Sequence, residues 1–427
     1  MKRREFSLAL TSLFGLSACE KVFGNENAKN HNIINFWAMG REGEVVSELI
    51  PQFTKLNPEI KIIVQQIPWS AAHEKLLTAF AGRTLPDIAQ IGNSWLPEMV
   101  AIGAISPLDA NEFNNKNNDC FEGIWNTNII DGVLYGVPWY VDTRLLFYRK
   151  DILLKAGYSN VPNNWQDFEI ALKKIKQLIG KDKYSILLPV NEYEPLITLA
   201  LSVDAPILKD NFSRGNMESP DFKKVLSFYN NLFKTGLAPT SAANEISNIY
   251  DEFARGFFNF YITGPWNIGE FKRRLPKELQ DNWATSPMPG PNGRGASSAG
   301  GSSLVIMKSS NKKENAQKFI SFLTKPEIQA KFYELTGDLP AKKSAWEAGG
   351  LINDKYSSAF YKQLEMVKPN PKAPEWERIA QEIRIVSENM VRGNINIDEA
   401  AKEMSKRADK ILEKRRWLLE KGAQNAK

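Results

Sequence analysis

Short β-branched segments alternate with single amphipathic helices along much of the chain, and this alternation most limits its possible folds. Residues 33–37 predict a strand that a helix over 44–53 follows. Further strands over 60–67 and 86–91 are each followed by a helix. Strands separated by single helices form βαβ units with parallel pairing. The sequence therefore predicts an α/β protein built on a parallel sheet.

The later chain adds more strands and then becomes helical. We predict helices over 165–179 and 242–256, a strand over 257–263 and a long amphipathic C-terminal helix over 397–421. The turn-rich Pro289–Gly293 is the best candidate for a crossing between two lobes. The chain of 427 residues is too long for one compact core and long enough for two lobes.

The N-terminus has the three-part layout of an export signal. Basic residues 2–4 precede a short apolar run over 6–16, which is too short to span a bilayer. The sequence Leu-Ser-Ala-Cys at 16–19 is typical of a lipoprotein cleavage box. We therefore expect a signal peptide over 1–18, lipidation of Cys19 and a lipid-anchored tether over 19–32. A twin-arginine pattern at 3–6 leaves both the general and the twin-arginine export routes open.

Composition argues against several classes of function. Loss of three basic residues and one acidic residue with the signal peptide lowers the formal charge from +6 to +4, which gives no argument for nucleic-acid binding. With only His31 and His73, a histidine-rich metal site or a Ser-His-Asp site is not expected. No phosphate-binding glycine loop is present, and an exported protein has little access to nucleotide cofactors. We expect neither a metal nor a cofactor.

Tryptophans recur where predicted strands end. Five of the eleven tryptophans occupy such positions: Trp37, Trp69, Trp95, Trp139 and Trp266. Ligands of open α/β sheets bind beyond the carboxyl ends of the strands. Aromatic faces there, with Arg41 and Asp142 nearby, suit a sugar, although core or lobe-interface packing is the alternative for each ring. Trp376, in a loop before a helix, is equally consistent with packing and with ligand contact.

Five segments carry more specific motifs. They are 86–95, 136–151, 262–268 with Gly-Pro-Trp, 287–303 with Gly-Gly-Ser-Ser, and 336–341 with Gly-Asp-Leu-Pro. Together they resemble the bacterial extracellular solute-binding proteins of ABC sugar importers, the maltose-binding-like family. The resemblance covers nearly the whole chain after the signal peptide.

The resemblance implies a type II periplasmic-binding-protein fold, in which two α/β lobes are joined by three hinge crossings. The crossings are expected near 139–143, 286–291 and 323–327. The N-terminal lobe would comprise 33–140 and 290–324, and the C-terminal lobe 141–289 and 325–427. The ligand would bind in the cleft between the lobes.

The resemblance and the strand-end pattern together give a set of candidate ligand-binding residues. These are Trp37, Arg41, Trp69, Trp95, Trp139, Tyr140, Asp142, Trp266, Gly300, Gly301, Asp338 and Trp376. Trp69, Trp95 and Trp376 come from the sequence pattern alone, and Asp338 is the weaker transfer from the family motif.

The function implied is capture of a di- or oligosaccharide and its delivery to the transmembrane subunits of an ABC permease. We expect a non-catalytic monomer that is exported, does not bind nucleic acid and touches the membrane only through its lipid anchor. The alternatives are a secreted glycan-active hydrolase with a carboxylate pair, a receptor of the same fold for another polyol such as a glycerol phosphodiester, and an adhesion or scaffolding lipoprotein. The sequence does not identify the sugar.

Overall fold

The computed structural model describes residues 32–109, 112–113, 119–203 and 206–425. The predicted signal peptide, Cys19 and the tether up to residue 31 lie outside the described residues. Within the described ranges, no helix is both long enough and apolar enough to cross a membrane.

Two mixed sheets organise the described chain, one of six strands and one of four. The strands in chain order are β1 Ile33–Met39, β2 Lys61–Ile67, β3 Ile88–Gly92, β4 Ile129–Ile130, β5 Val133–Leu134, β6 Val137–Val141, β7 Leu145–Arg149, β8 Tyr184–Leu187, β9 Leu208–Lys209, β10 Arg214–Gly215, β11 Phe258–Thr263, β12 Trp283–Ser286, β13 Ser297–Ser298, β14 Gly301–Ile306, β15 Leu339–Pro340 and β16 Val367–Lys368. The larger sheet has the order β15-β6-β14-β3-β1-β2, and the smaller β12-β7-β11-β8. The remaining strands pair in two-stranded ribbons.

Helices pack around these sheets. The α-helices are Gly40–Val45, Ile50–Leu56, Trp69–Ala81, Leu96–Ala101, Glu122–Asn126, Lys150–Lys155, Trp165–Ile179, Glu194–Ala200, Pro220–Lys234, Ile249–Ala254, Trp266–Arg274, Lys313–Leu323, Pro326–Thr336, Lys343–Ala348, Ser358–Leu364, Trp376–Val391, Ile397–Ile411 and Glu413–Asn425. The α/β class predicted from the sequence is therefore confirmed.

Parallel pairing is confined to part of each sheet. β1 pairs in parallel with β2 and β3, as the βαβ pattern predicts. β14 runs antiparallel to both β3 and β6, and β15 runs antiparallel to β6. In the smaller sheet, β11 is parallel to β8 and antiparallel to β7. The predicted parallel pairing therefore holds for part of each sheet only, because strands from distant parts of the chain join each sheet outside any single βαβ unit.

Both faces of the larger sheet are buried, so its strands are apolar on both sides. In β1, Phe36 and Ala38 belong to one core cluster, whereas Trp37 and Met39 belong to the cluster on the other face. The same alternation runs through β14, where Leu304 lies in the first cluster and the next residue lies in the second. The period of two along a strand explains this division.

The smaller sheet is covered in the same way. Leu146 and Tyr148 of β7 pack in a cluster with the helices Trp165–Ile179 and Pro220–Lys234. Phe147 points to the other face, where its ring stacks on Trp283 with the two centroids 5.8 Å apart. Each sheet with its two layers of helices therefore forms one α/β unit.

The described chain passes between the two sheets three times. Residues 142–144 join β6 to β7, and residues 287–300 lead from β12 back to β14. After β15, the chain leaves the larger sheet for the helix Lys343–Ala348, which packs against the smaller sheet.

The third passage differs from the expected crossing near 323–327. The helix Pro326–Thr336 packs on the larger sheet, where Phe332 stacks on Trp139 with a centroid distance of 4.3 Å. This packing keeps the chain on the larger sheet until Pro340.

Two predicted helices are interrupted. The C-terminal helix breaks at the buried Leu412 instead of running through 397–421. The segment 242–256 forms a 3₁₀ turn and then the helix Ile249–Ala254. The side chain of Asn248 accepts hydrogen bonds from two backbone amides of this helix, so it starts a new helix there.

Candidate functional site

A cavity of about 510 Å³ lies between the two sheets. Its walls come from segments at strand ends: 41–42 after β1, 92–95 at the end of β3, Tyr140, Asp142 and Arg144 around the first crossing, and 298–301 at the start of β14. Further lining residues are Trp69, Pro97, Thr127, Tyr193, Glu194, Ile197, Trp266, Thr336, Asp338 and 369–372. The cavity thus lies where the carboxyl ends of parallel strands favour ligand binding.

Nine of the twelve predicted site residues line this cavity. They are Arg41, Trp69, Trp95, Tyr140, Asp142, Trp266, Gly300, Gly301 and Asp338. They come from both sides of the two-sheet arrangement and are far apart in the sequence. Their binding to a ligand stays a prediction.

Three predicted residues, Trp37, Trp139 and Trp376, do not line the cavity. Trp139 is fully buried and stacks on Phe332 within the same core cluster to which Tyr140 belongs. Trp37 packs in a core cluster, with the Lys75 ammonium 4.9 Å from its ring centroid. Trp376 begins a helix with its ring fully buried in the core of the smaller-sheet unit. The structure therefore places these three rings in packing positions.

An aromatic wall, defined as Trp69, Trp95 and Tyr140, forms one side of the cavity. The rings of Trp69 and Trp95 meet edge to face with their centroids 5.5 Å apart. His73, one turn after Trp69, lies 5.0 Å from the Trp95 ring and 2.6 Å from Glu98. The hydrogen bond to Glu98 raises the pKa of His73 above its ordinary value, although burial opposes this rise.

A buried polar network lies behind this wall. The Tyr140 hydroxyl donates a hydrogen bond to the Glu42 carboxylate, and Gln90 Nε2 donates to the same carboxylate at 3.3 Å. Gln90 Nε2 is also 3.2 Å from the Tyr140 hydroxyl, and Gln90 Oε1 accepts from the backbone amide of Met39 at 2.7 Å. Burial raises the pKa of Glu42, which its hydrogen-bond donors only partly offset. Burial and the neighbouring Glu42 also raise the pKa of Tyr140.

On the other side of the cavity, Trp266 stacks with an arginine. The Arg144 guanidinium lies 4.3 Å from the Trp266 ring centroid and donates to Asp142 at 2.8 Å. Glu194 is a second anionic neighbour, at 3.9 Å. Burial acts to lower the pKa of Arg144, but the charges of Asp142 and Glu194 outweigh it and the pKa is raised. Arg144 therefore stays protonated, and the carboxylates of Asp142 and Glu194 offset part of its positive charge.

The Gly300–Gly301 pair brings two backbones together. A Cβ on Gly300 would lie 2.0 Å from the carbonyl oxygen of Asp142, and Gly301 has a φ of +121°. Larger residues cannot pack here, so the pair lets β14 approach the first crossing. Asp338 lies nearby on the cavity wall, and burial together with the charges of Glu42 and Asp142 raises its pKa well above the ordinary value.

Lys372 connects the two sides of the cavity. It precedes the helix Trp376–Val391 of the smaller-sheet unit, and its ammonium donates to the carbonyl oxygens of Asn126 at 2.6 Å and Ile129 at 2.8 Å. Ile129 is in a ribbon whose second strand hydrogen-bonds to Leu108 on the larger-sheet side. Burial lowers the pKa of Lys372.

Several lining residues were not predicted, among them Glu42, Asn93, Arg144, Tyr193 and Lys372. Glu42 and Asn93 lie in the same strand-end turns that supplied predicted residues, so position after a strand was sufficient to find them. Arg144 lies inside the motif segment 136–151. Tyr193, which follows β8 after several residues of irregular structure, carries no comparable signal.

The cavity can hold a polar ligand with apolar faces. Its walls offer aromatic rings, carboxylates and an arginine. Among the residues that the structure describes, no group of three or more His, Cys, Asp or Glu side chains is placed to hold a metal ion. The rings and polar groups of the lining are suited to stacking and hydrogen bonding.

Residues 48–359 match the family model described as bacterial extracellular solute-binding protein. The solved structure of the sugar-binding protein MalE from Xanthomonas citri is 49% identical, with a TM-score of 0.88, and the match covers 91% of this chain and 99% of that one. A binding protein of Brucella abortus is 28% identical over 380 residues, which are 88% of this chain and 91% of the relative. The GacH receptor of Streptomyces glaucescens shares the fold, with 22% identity, a TM-score of 0.77 and coverage of 89% of this chain and 98% of that one.

Proposed function

Because this chain belongs to the bacterial extracellular solute-binding proteins, we propose that it is the substrate-binding component of an ABC importer and captures a di- or oligosaccharide. The observation that carries this proposal is the convergence of Trp69, Trp95, Tyr140 and Trp266 on one cavity between the two sheets. Aromatic faces match the C–H faces of sugar rings, and the polar groups among them can orient hydroxyls. The similarity to a sugar-binding protein at 49% identity supports the same ligand class.

The proposed mechanism is closure of two lobes around the sugar. A ligand that contacts both lobes only in the closed state shifts the open–closed equilibrium toward closure. The sequence predicted one lobe of 33–140 with 290–324 and a second of 141–289 with 325–427. We propose these lobes with one change: residues 325–341 belong to the first lobe, because β15 pairs with β6. The permease would recognise the closed form.

The cavity charges favour a neutral sugar over a phosphodiester. Each lining cation already has a partner: Arg41 is 3.1 Å from Glu44, Arg144 binds Asp142, and Lys372 donates to two carbonyl oxygens. Carboxylates line the cavity as well, namely Glu42, Asp142, Glu194 and Asp338. A phosphate would have to compete for the cations and would meet this negative charge.

The same proposal assigns a cellular place and partners. Cys19 would carry the lipid, residues 19–32 would tether the fold to the membrane, and export would use the signal peptide 1–18. The macromolecular partner is the pair of transmembrane permease subunits. We propose a monomer that contacts the membrane only through its anchor and binds no nucleic acid.

We propose that the protein returns its sugar unchanged. The relatives named above are binding proteins, which supports this assignment. The competing glycan-active hydrolase would use two of the cavity carboxylates and release shortened products. Chromatography of maltotetraose after overnight incubation with the protein separates the two functions, since a receptor leaves the tetrasaccharide intact.

Calorimetric titration of the mature chain tests the ligand class. The panel is maltose, maltotetraose, diacetylchitobiose and, as the phosphodiester, glycerophosphocholine. Micromolar affinity for one of the neutral sugars corresponds to about −8 kcal/mol and is the expected result. An absence of both heat and thermal shift with every sugar, or preferential binding of glycerophosphocholine, would contradict the proposal.

A further inference from the structure

The buried carboxylate of Glu42 stands at the centre of the aromatic wall. It accepts hydrogen bonds from the Tyr140 hydroxyl and from Gln90 Nε2, both at Oε1. The indole of Trp69 lies near the same carboxylate, because Trp69 Nε1 and Glu42 Oε2 are both within 3.0 Å of the position that a Cβ on Gly40 would take. One wall residue is therefore hydrogen-bonded to Glu42, and a second packs near it.

These donors use the hydrogen-bonding capacity of the carboxylate. An ionised carboxylate has about four acceptor positions on its two oxygens. Tyr140 and Gln90 both donate to Oε1 of Glu42 and so occupy the acceptor positions of that oxygen. Although Glu42 borders the cavity, its Oε1 is engaged by protein groups, and little is left on that oxygen for a sugar hydroxyl.

The position of Trp69 is restricted from a second direction. Gly40 has a φ of +49°, and a Cβ there would lie 2.6 Å from Trp69 Cδ1 and 3.0 Å from Glu42 Oε2. The nitrogen-bearing edge of the indole and the carboxylate oxygen therefore both pack closely against Gly40. The ring of Trp95 then packs edge to face on Trp69, so the restriction extends along the wall.

We propose that Glu42 is a positioning residue, which fixes the orientations of Trp69 and Tyr140 and thereby sets sugar affinity without being the sugar's main hydrogen-bond partner. This inference rests on the proposed sugar-binding function for its effect on affinity. Its effect on the two aromatic side chains can be measured without any sugar. Removal of the charge leaves the Tyr140 hydroxyl with a weaker acceptor and changes the polar group that lies near the Trp69 indole, so both side chains gain freedom.

The titratable groups that face Glu42 are Tyr140 and the cavity carboxylate Asp338. Burial raises the pKa of Glu42. Acidification should therefore protonate Glu42 and loosen the wall before the exposed carboxylates of the surface are affected. Asp338→Asn as a background variant distinguishes titration of Glu42 from titration of its neighbour.

The sugar-free experiment is ¹⁹F NMR of protein labelled with 5-fluorotryptophan, with the Trp69 resonance assigned by its loss in Trp69→Phe. In the wild-type protein, the Trp69 resonance should move with pH and keep moving in Asp338→Asn. In Glu42→Gln it should be shifted or broadened and should no longer titrate. Glu44→Gln, on the same helix but exposed, is the matched control and should leave the resonance unchanged.

The affinity experiment is a double-mutant cycle in the calorimetric panel of maltose, maltotetraose and diacetylchitobiose. We expect Glu42→Gln to weaken binding about tenfold and Tyr140→Phe about threefold, with the double variant close to the first variant alone. Residues that act through each other are not additive. Additive losses, about thirtyfold in the double variant, would mean that each side chain meets the sugar separately.

The outcomes separate the two proposals. Sugar binding that is unchanged in Glu42→Gln, together with a wild-type Trp69 resonance, overturns the positioning role and leaves the sugar-binding function standing. If no sugar binds but the Trp69 resonance depends on Glu42 as expected, the positioning role holds and the ligand class fails. If Glu42→Gln does not fold, Gly40→Ala displaces Trp69 while keeping the carboxylate, and wild-type affinity in that variant overturns the inference.

Discussion

Replacement of Glu192 by glutamine perturbs a partly buried carboxylate next to the cavity-lining residues Tyr193 and Glu194. Glu192 precedes the helix Glu194–Ala200, and burial together with the charge of Glu194 raises its pKa from 4.5 to about 7. Arg144 acts in the opposite direction but does not cancel these effects. The folded protein therefore holds a proton on Glu192 at a pH where the unfolded chain has lost it.

The sign and size of the effect on stability follow from this difference. The contribution of protonated Glu192 to the free energy of unfolding is fully present below pH 4.5. It declines as Glu192 of the unfolded chain ionises and is lost as the pH rises through about 7. At about 1.4 kcal/mol per pH unit, the interval amounts to about 3 kcal/mol. The Glu192→Gln variant has no such charge to bury, so at pH 8 it should be more stable than the wild type by about 3 kcal/mol.

Urea unfolding of both proteins at pH 4.5 and pH 8 measures this difference. The variant's advantage should be near 3 kcal/mol at pH 8 and below about 1 kcal/mol at pH 4.5. At pH 8 the thermal midpoint should rise by about 4 °C if the chain unfolds as one unit. Glu44→Gln, on an exposed ion pair, is the control. Equal pH dependence in wild type and Glu192→Gln would refute the reasoning.

Four further predictions concern the cavity and the core. Trp266→Ala should weaken sugar binding at least tenfold in calorimetry with a melting temperature within a few degrees of wild type, whereas Trp417→Ala, another exposed tryptophan outside the cavity, should change neither. Asp338→Asn should raise the unfolding midpoint at pH 8, with a gain that shrinks toward pH 4, because burial and neighbouring carboxylates raise the pKa of Asp338 and ionisation costs stability as pH rises. Trp139→Ala should cost about 3–5 kcal/mol in urea unfolding, since the ring is fully buried. Lys372→Met should weaken sugar affinity about tenfold and increase the radius of gyration of the sugar-free protein in X-ray scattering, because its ammonium bridges the two sides of the cavity.

The α/β class and the strand-end tryptophans could be predicted because both depend on local periodicity. Alternating β-branched strands and amphipathic helices limit the chain to packed sheets and helices whatever the long-range contacts are. The parallel order of β1, β2 and β3 followed from the same pattern. The antiparallel position of β14 could not be predicted in this way. Its pairing with β3 and β6 depends on where the chain returns to the larger sheet after it has formed the smaller one.

The side chains of the cavity show the same limit. Trp139 and Tyr140 are adjacent in one strand and both were predicted, yet only Tyr140 lines the cavity. The pairing of β6 with β14 shifts register beside these two residues, so the usual alternation of faces is interrupted and both rings belong to one core cluster. Trp139 stacks on Phe332, whereas the hydroxyl of Tyr140 reaches Glu42 at the cavity wall.

By itself, the sequence determined the α/β class and the strand ends at which a ligand could bind, and it predicted an export segment. Only the tertiary structure decided which rings face the cavity and brought Glu42 to Trp69 and Tyr140 from far along the chain. The physical reason is that hydropathy patterns encode burial, which is a local property of each segment. The direction of a side chain and its hydrogen-bond partners depend on neighbours supplied by other segments.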